Sequence, residues 1–210
     1  MKNIFIVLFI VFAITVSYSQ DKITIQFTDS TEIKGYGRIK LNGNILYRKE
    51  KKSEKEIYSY KTEKKVKKVT IHYDDYDKSY EYKFTYFDGM KHHKLLEIYK
   101  AGKVNLYIKN TTTNTNAIAT GGFGMTYTTT SYYISKKDND TIIDLRQGNT
   151  YSNRFRKKIA PKFFNDCTDL IDKINTRDFF NRYGIGSVVD YYNEKCESKQ
   201  KVKTRETTED

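Results

Sequence analysis

Tryptophan is absent from the 210 residues of this chain, and Pro161 is its one proline. The first absence removes the side chain best suited to stacking on sugars. The chain carries 19 Tyr and 12 Phe instead. Low proline together with abundant tyrosine, threonine and isoleucine favours β-sheet over disorder.

Histidine is also scarce, with His72 alone and His92 beside His93. A metal site needs several His, Cys, Asp or Glu side chains at defined spacing, whereas adjacent residues of a strand point to opposite faces. The acidic segments 73–79 and 138–140 lack the glycine and the terminal glutamate of an EF-hand loop and are typical of turns. The sequence therefore predicts no metal site and no cofactor.

Catalytic motifs are missing as well. No Gly-x-Ser-x-Gly segment marks a serine nucleophile. The segment GGFG at 121–124 has neither the lysine nor the strand–loop–helix setting of a phosphate-binding loop. We therefore predict a non-enzymatic protein, with a hydrolase that has no recognisable motif as an alternative.

The amino terminus has an apolar run over residues 4–16, which is shorter than the roughly 20 residues that cross a bilayer core. Ser17 and Ser19 follow it, where a signal peptidase requires small side chains. The pattern predicts a secretory signal peptide over residues 1–19, cleaved before Gln20, and a mature protein in the periplasm or outside the cell. A retained amino-terminal anchor is the alternative.

Cysteine occurs twice, at Cys167 and Cys196. Disulfides form and persist in exported proteins, and an even number of cysteines favours pairing. We predict one bond that closes a loop of about 30 residues. Free structural thiols are the alternative.

The formal net charge is +12, and two segments carry the excess. Residues 48–69 hold ten basic and four acidic side chains, and residues 152–162 hold five basic and no acidic ones. Interleaved Lys and Glu are typical of a solvated hairpin tip or a protected edge strand, but the same charge suits an envelope polyanion or an acidic glycan. Export argues against nucleic acid as the partner. The candidate polyanion-binding residues are Lys64, Lys65, Lys67, Lys68, Arg154, Arg156, Lys157 and Lys158.

Alternating apolar and polar residues predict antiparallel strands through the first two thirds of the chain, in a small barrel or a sandwich. Asn42-Gly43 is the strongest hairpin signal and predicts a two-residue type I′ turn. One predicted strand places four aromatic side chains on one face, which we interpret as core and which alternatively binds sugars or planar ligands. These side chains are Tyr80, Tyr82, Phe84 and Tyr86.

Residues 110–133 are rich in threonine and contain Gly121-Gly122. A turn at these glycines predicts a long hairpin with a mobile tip, in which Thr113 faces Thr130 and Thr115 faces Thr128. A mobile insert between two strands of the body is the alternative.

The hydrophobic period becomes helical after residue 147 and predicts two or three helices. Asp166 is a good N-cap, with Asp169 three residues on. A last helix, after breaks at Gly184 and Gly186, has one apolar face. That face consists of Ile185, Val188, Val189, Tyr192 and Cys196.

The sequence as a whole predicts an α+β protein with one domain over residues 20–196. Its β-rich part covers 20–146 and its helical part 147–196, and the polar tail 197–210 is predicted to be disordered. With export and no catalytic constellation, this layout predicts a non-enzymatic binding or structural module of the cell envelope. The alternative function is binding of a polyanion or glycan through the basic segments and tyrosines.

Four short motifs occur in a fixed order behind the Ser-Gln that ends the predicted signal peptide. They are GKVNLY (102–107), YYI (132–134), FFNDC (163–167) and YYNEKC (191–196). In this order they resemble a group of small exported proteins common in Bacteroidota. The resemblance covers most of the mature chain and implies export and the same layout, but no activity.

Overall fold

The computed structural model describes residues 20–87, 90–115, 125–137, 139–145, 153–176 and 180–196. Within them, antiparallel strands precede three helices, which confirms the α+β class. The predicted signal peptide, the turn at Gly121-Gly122 and the tail 197–210 lie outside the described residues. No helix within those ranges is long and apolar enough to span a membrane.

Strands occupy the chain up to residue 144. They are β1 (Asp21–Phe27), β2 (Glu32–Ile39), β3 (Ile45–Arg48), β4 (Glu56–Tyr58), β5 (Val66–His72), β6 (Asp77–Phe87), β7 (Met90–Lys100), β8 (Val104–Thr115), β9 (Met125–Lys136) and β10 (Ile143–Asp144). Helix α1 begins with a π-helical turn (Phe155–Ile159) and continues as an α-helix (Ala160–Phe163). Helix α2 covers Thr168–Asn175, and α3 covers Phe180–Tyr191 and ends in a π-helical turn (Tyr192–Cys196).

The described residues divide into two compact units, with the boundary between Lys78 and Ser79. The first unit is an antiparallel sheet in the order β5-β1-β2-β3-β4. One face of this sheet is the core of the unit, because every second side chain of β1 and β5 is apolar and buried. The buried residues include Ile23, Ile25, Phe27, Ile45, Tyr47, Val66, Val69 and Ile71.

The hairpin at Asn42-Gly43 is present, but its turn differs from the prediction. The N–H of Gly43 donates to the Lys40 carbonyl (2.8 Å), and the N–H of Lys40 donates to the Asn44 carbonyl (2.8 Å). Only Gly43 has a positive φ, of 84°, so the loop is of the longer type in which one residue is left-handed. The Asn42 side chain accepts the N–H of Asn44 (3.0 Å) and stabilises this loop.

The second unit contains an antiparallel sheet in the order β6-β7-β8-β9-β10. The segment before β10 is also bonded to β6, since Phe84 donates to the Asp140 carbonyl (3.0 Å) and Ile142 donates to the Phe84 carbonyl (2.9 Å). The sheet thus curves round an interior, and a single bridge rather than a strand ladder joins this segment to β6. The apolar side chains of this interior are Leu96, Tyr107, Tyr133 and Ile142.

The three helices pack on the outer face of β8 and β9 and form the main core of the second unit. Helix α3 is kinked at Gly184 (φ 68°), where the sequence predicts a break. All five residues of the predicted apolar face of α3 are buried. This core includes Val104, Leu106 and Ile134 from the strands and Phe155, Phe164, Leu170, Ile174, Ile185, Val188 and Val189 from the helices.

The predicted disulfide is confirmed. Cys167 and Cys196 are bonded, with an S–S distance of 2.04 Å and a Cα–Cα distance of 5.8 Å. The bond joins the residue before α2 to the end of α3. The predicted N-cap is wrong, because Cys167 occupies the cap position of α2 and makes no side-chain capping bond. Asp166 instead accepts hydrogen bonds from the Tyr192 hydroxyl (2.6 Å) and from Lys136 Nζ (3.2 Å).

Strands β8 and β9 form the predicted hairpin over the threonine-rich segment, but the predicted register is wrong by three residues. Thr112, not Thr115, lies opposite Thr128, and the two hydroxyl oxygens are 3.1 Å apart. The register is set in the body of the sheet, where Leu106 pairs with Ile134 in the main core. A buried pair fixes register more strongly than a glycine turn does.

Candidate functional sites

The polar face of the first sheet carries most of the charge that this unit presents on strands. Register places His72, Lys22 and Tyr36 side by side across β5, β1 and β2, and Thr70, Thr24 and Lys34 in the next row. We name this surface the cationic face. It consists of Lys22, Thr24, Gln26, Glu32, Lys34, Tyr36, Arg38, Arg48, Lys68, Thr70 and His72.

Basic side chains outnumber acidic ones on the cationic face. Lys22, Lys34 and Arg38 are exposed, and Lys68 is half-buried. The one carboxylate of the face, Glu32, lies 3.0 Å from Lys34 Nζ. Neighbouring strands are about 4.8 Å apart and alternate residues about 7 Å apart along a strand, so the cations form a two-dimensional array and not a single row.

A tyrosine lies within this array. Lys51 Nζ is 5.3 Å from the centroid of the Tyr36 ring, and Arg48 donates to the Lys51 carbonyl (2.7 Å), which holds the loop after β3 against the face. Lysine and tyrosine therefore share one accessible surface. That is the arrangement expected of a surface for an anionic polymer or glycan, since the ring supplies apolar contact and the cations supply charge.

The structure divides the predicted polyanion-binding residues between the two units. Lys68 belongs to the cationic face, whereas Lys67 is exposed at the irregularity in the β1–β5 pairing. Lys64 and Lys65 precede β5, and Lys64 Nζ lies 5.8 Å from the Phe27 ring centroid. The residues that join Lys68 on the face, such as Lys22, were missed because they are scattered in sequence. The signal that finds them is strand alternation combined with register.

The second predicted group lies on and before α1 in the second unit. Arg156 donates to Asn153 (2.8 Å), and Lys157 and Lys158 are exposed. Arg154 lines a pocket of about 530 Å³ at one end of the curved sheet. Of the four predicted residues in this group, Arg154 is the one that lines this pocket.

Three polar side chains on and beside the cationic face have the order of a nucleophile, a base and an orienting carboxylate. Thr24 Oγ1 lies 2.8 Å from His72 Nε2, and His72 Nδ1 lies 2.9 Å from Asp77 Oδ1. Such distances permit proton transfer from a hydroxyl to an imidazole. However, β1 pairs with β2 on one side and with β5 on the other. Its backbone N–H groups near Thr24 therefore form the hydrogen bonds of the sheet and are not directed at a developing oxyanion.

The aromatic face of β6 is not core, contrary to the prediction. Tyr86 is 61% exposed, and Tyr80, Tyr82 and Phe84 are only partly buried. Lys91 Nζ lies 3.5 Å from the centroid of the Phe84 ring. The buried side of β6 is the opposite one, because the interior of the curved sheet lies there.

That interior contains a polar cluster. Lys83 is 5% exposed, and its Nζ lies 3.3 Å from Glu81 Oε2 and donates to the Asn139 carbonyl (3.2 Å). The Tyr107 hydroxyl donates to Glu81 Oε2 (2.8 Å) and accepts from Asn105 Nδ2 (3.1 Å). Burial, followed by the charge of Glu81, raises the pKa of Tyr107 far above its ordinary value of 10.0, so the phenol stays protonated.

Within the described ranges, no three His, Cys, Asp or Glu side chains converge as a metal site requires. Comparisons of the chain with protein-family models, curated proteins and solved structures gave no match.

Proposed function

We propose that the mature chain is an exported, non-enzymatic binding module of the cell envelope that holds an acidic polymer on the cationic face. The observation that carries the proposal is the array in which Lys22, Lys34 and Lys68 lie on adjacent strands with Tyr36 among them. Export after cleavage before Gln20 is part of the proposal. The Cys167–Cys196 bond supports it, because disulfides persist in oxidising compartments.

An acidic polysaccharide or the phosphates of an envelope glycolipid match this face better than a small ligand does. The face is one side of a sheet and spreads its cations over several strands, so it can contact several anions of a polymer at once. Each contact releases a condensed counterion, so binding weakens steeply with salt. The one carboxylate of the face, Glu32, pairs with Lys34 and compensates one positive charge, so the basic side chains of the face remain in excess.

The experiment measures retention of the mature protein on heparin as a function of salt. The test variant replaces Lys22, Lys34 and Lys68 by alanine. The control variant replaces three exposed lysines in loops of the same unit, Lys52, Lys55 and Lys61, and removes the same net charge.

We expect the test variant to elute at clearly lower salt, with the slope of log affinity against log salt reduced by about two to three, one unit for each lost contact. The control variant should elute close to the wild type. Equal losses in both variants would show that net charge alone governs retention, and elution of the wild type at low salt would remove the polyanion function altogether.

A hydrolase is the second candidate function, favoured only by the bonded order of Thr24, His72 and Asp77. The test is turnover of an activated ester by the mature protein and by a Thr24→Val variant. Hydrolysis that shows a burst and is lost in the variant would support an enzyme. A rate equal to that of free imidazole, unchanged in the variant, would exclude it.

A further inference from the structure

The pocket of the second unit shares no lining residue with the cationic face. It has a volume of about 530 Å³ and lies at one end of the curved sheet, where β6 ends, β7 begins and the segment before β10 crosses. The mouths of curved and closed sheets are common ligand sites, and this volume lies within the usual range for small molecules. Its lining residues include Thr85, Tyr86, His92, Lys94, Asp144 and Arg154.

The charge of the lining favours a single carboxylate as the ligand group. Lys94 Nζ donates to the Tyr133 hydroxyl (3.2 Å) and lies 3.7 Å from Asp144 Oδ2, so its ammonium is fixed in place. Among the described residues, Arg154 makes no ion pair with a carboxylate, and its side chain is exposed at the rim. Two permanent cations against one carboxylate leave one net positive charge, which a monoanion balances and a dianion exceeds.

The remaining lining favours a ligand with several hydroxyl groups and one apolar ring face. Thr85 and Thr141 contribute hydroxyl groups, while Ile142 and Ile143 contribute apolar surface. Tyr86 also lines the pocket, but its ring packs against Phe84, with ring centroids 5.7 Å apart, on the opposite face of β6 from Thr85. Apolar side chains such as Ile142 and Ile143 pack on the C–H face of a pyranose and leave its hydroxyls to polar neighbours, so the pocket has complementary groups for each part of a sugar acid.

We propose that this pocket binds one hexuronate residue, with the carboxylate held by Arg154 and Lys94 and the sugar ring lying against Ile142 and Ile143. A guanidinium can donate two parallel hydrogen bonds to one carboxylate, which is a strong and geometrically specific form of such recognition. Asp144 keeps Lys94 oriented and makes the site selective for a single negative charge. The site does not require the cationic face, so each proposal stands or fails by its own experiment.

The experiment titrates the 15N-labelled mature protein with methyl β-glucuronide and, as a matched neutral ligand, methyl β-glucoside. We expect saturable shifts for the glucuronide at the amides of Thr85, Lys94 and Thr141, and much weaker binding of the glucoside. An Arg154→Gln variant should lower the glucuronide affinity about tenfold or more, as expected for loss of a charged hydrogen bond. An Arg156→Gln variant, which changes a half-buried arginine two residues along the same helix, should bind like the wild type.

Equal binding of the two sugars would overturn the assignment of the carboxylate to Arg154 and Lys94. An equal loss in the Arg154→Gln and Arg156→Gln variants, or shifts confined to residues outside the pocket, would overturn the site itself. Absence of any saturable shift with the glucuronide would do the same. A variant lacking Lys22, Lys34 and Lys68 should bind the glucuronide normally, which separates this result from that of the heparin experiment.

Discussion

Lys83 on β6 lies directly opposite Lys94 on β7, and both side chains point to the inside of the curved sheet. Like charges in such a pair destabilise an antiparallel sheet. Each ammonium is therefore held by carboxylates of its own, Glu81 and Asp140 for Lys83 and Asp144 for Lys94. The interior of the second unit is thus a compensated ionic cluster with an apolar layer, not a uniformly apolar core.

Replacement of Lys83 by methionine should destabilise the second unit. The side chain is almost fully buried beside Glu81, and removal of one partner of a buried ion pair costs about 3 kcal/mol or more. Relief of repulsion from Lys94 reduces this cost by a few tenths of a kcal/mol. Urea unfolding of the variant measures the change in the free energy of unfolding.

The matched control for this prediction is Lys109→Met, at an exposed position of β8, which should change the free energy of unfolding by less than about 0.5 kcal/mol. The Glu81→Gln/Lys83→Met double variant should lose less than the sum of its single variants, because the two side chains form one ion pair. Additive losses would contradict the ionic cluster.

The strands, the hairpins and the disulfide were predictable from sequence because each depends on local pattern or on compartment. The aromatic face of β6 was assigned to the wrong side for a physical reason. Alternation shows only that the two faces differ, and here the inner face carries Glu81 and Lys83, whose burial depends on tertiary partners such as Tyr107. Sequence gave no sign of those partners, since Tyr107 is 26 residues from Glu81.

The candidate sites, too, were only partly predictable from sequence. The basic runs that attract notice in sequence contribute Lys68 to the cationic face and Arg154 to the pocket. The other members come from alternate positions on separate strands, and only register brings them together. A charge array on a sheet is a long-range property, and the mean charge of a segment does not predict it.

Removal of the disulfide should destabilise the helical part more than any other single change to α2 or α3. The bonded residues are separated by 29 positions, and closure of such a loop contributes roughly 3–4 kcal/mol on the loop-entropy model. The double replacement of Cys167 and Cys196 by serine should lower the midpoint of thermal unfolding. A reductant should lower the unfolding midpoint of the wild type by a similar amount and should not change the midpoint of the variant. Labelling of the non-reduced native protein by a thiol reagent would contradict the bond.

Replacement of Gly102 by alanine should loosen the contact between β8 and the end of α3. A Cβ at this position would lie 2.2 Å from Asn193 Nδ2, and the Asn193 side chain both accepts the N–H of Val104 and donates to its carbonyl (3.0 Å each). Overpacking of this kind costs about 1–3 kcal/mol.

An Asn193→Ala variant provides the control, because it removes the two hydrogen bonds between the Asn193 side chain and the Val104 backbone without introducing a clash. If Gly102→Ala destabilises the protein by displacing the Asn193 side chain, the Gly102→Ala/Asn193→Ala double variant should be no less stable than Asn193→Ala alone in urea unfolding. A further large loss in the double variant would place the effect of Gly102 elsewhere.

Asp166 should make the stability of the second unit depend on acid pH. Burial raises the pKa of this carboxyl, but the hydrogen bonds from Tyr192 and Lys136 and the charge of Lys136 outweigh burial and hold it below its ordinary value of 3.8. A carboxyl with a lowered pKa in the folded state contributes stability above the unfolded pKa, and this contribution is lost as the pH falls through the folded pKa. An Asp166→Asn variant should therefore be less stable than the wild type at pH 6, by about 1–2 kcal/mol. The difference should shrink as the pH falls below about 3.8, and a difference that is independent of pH between 6 and 2 in urea unfolding would contradict this assignment.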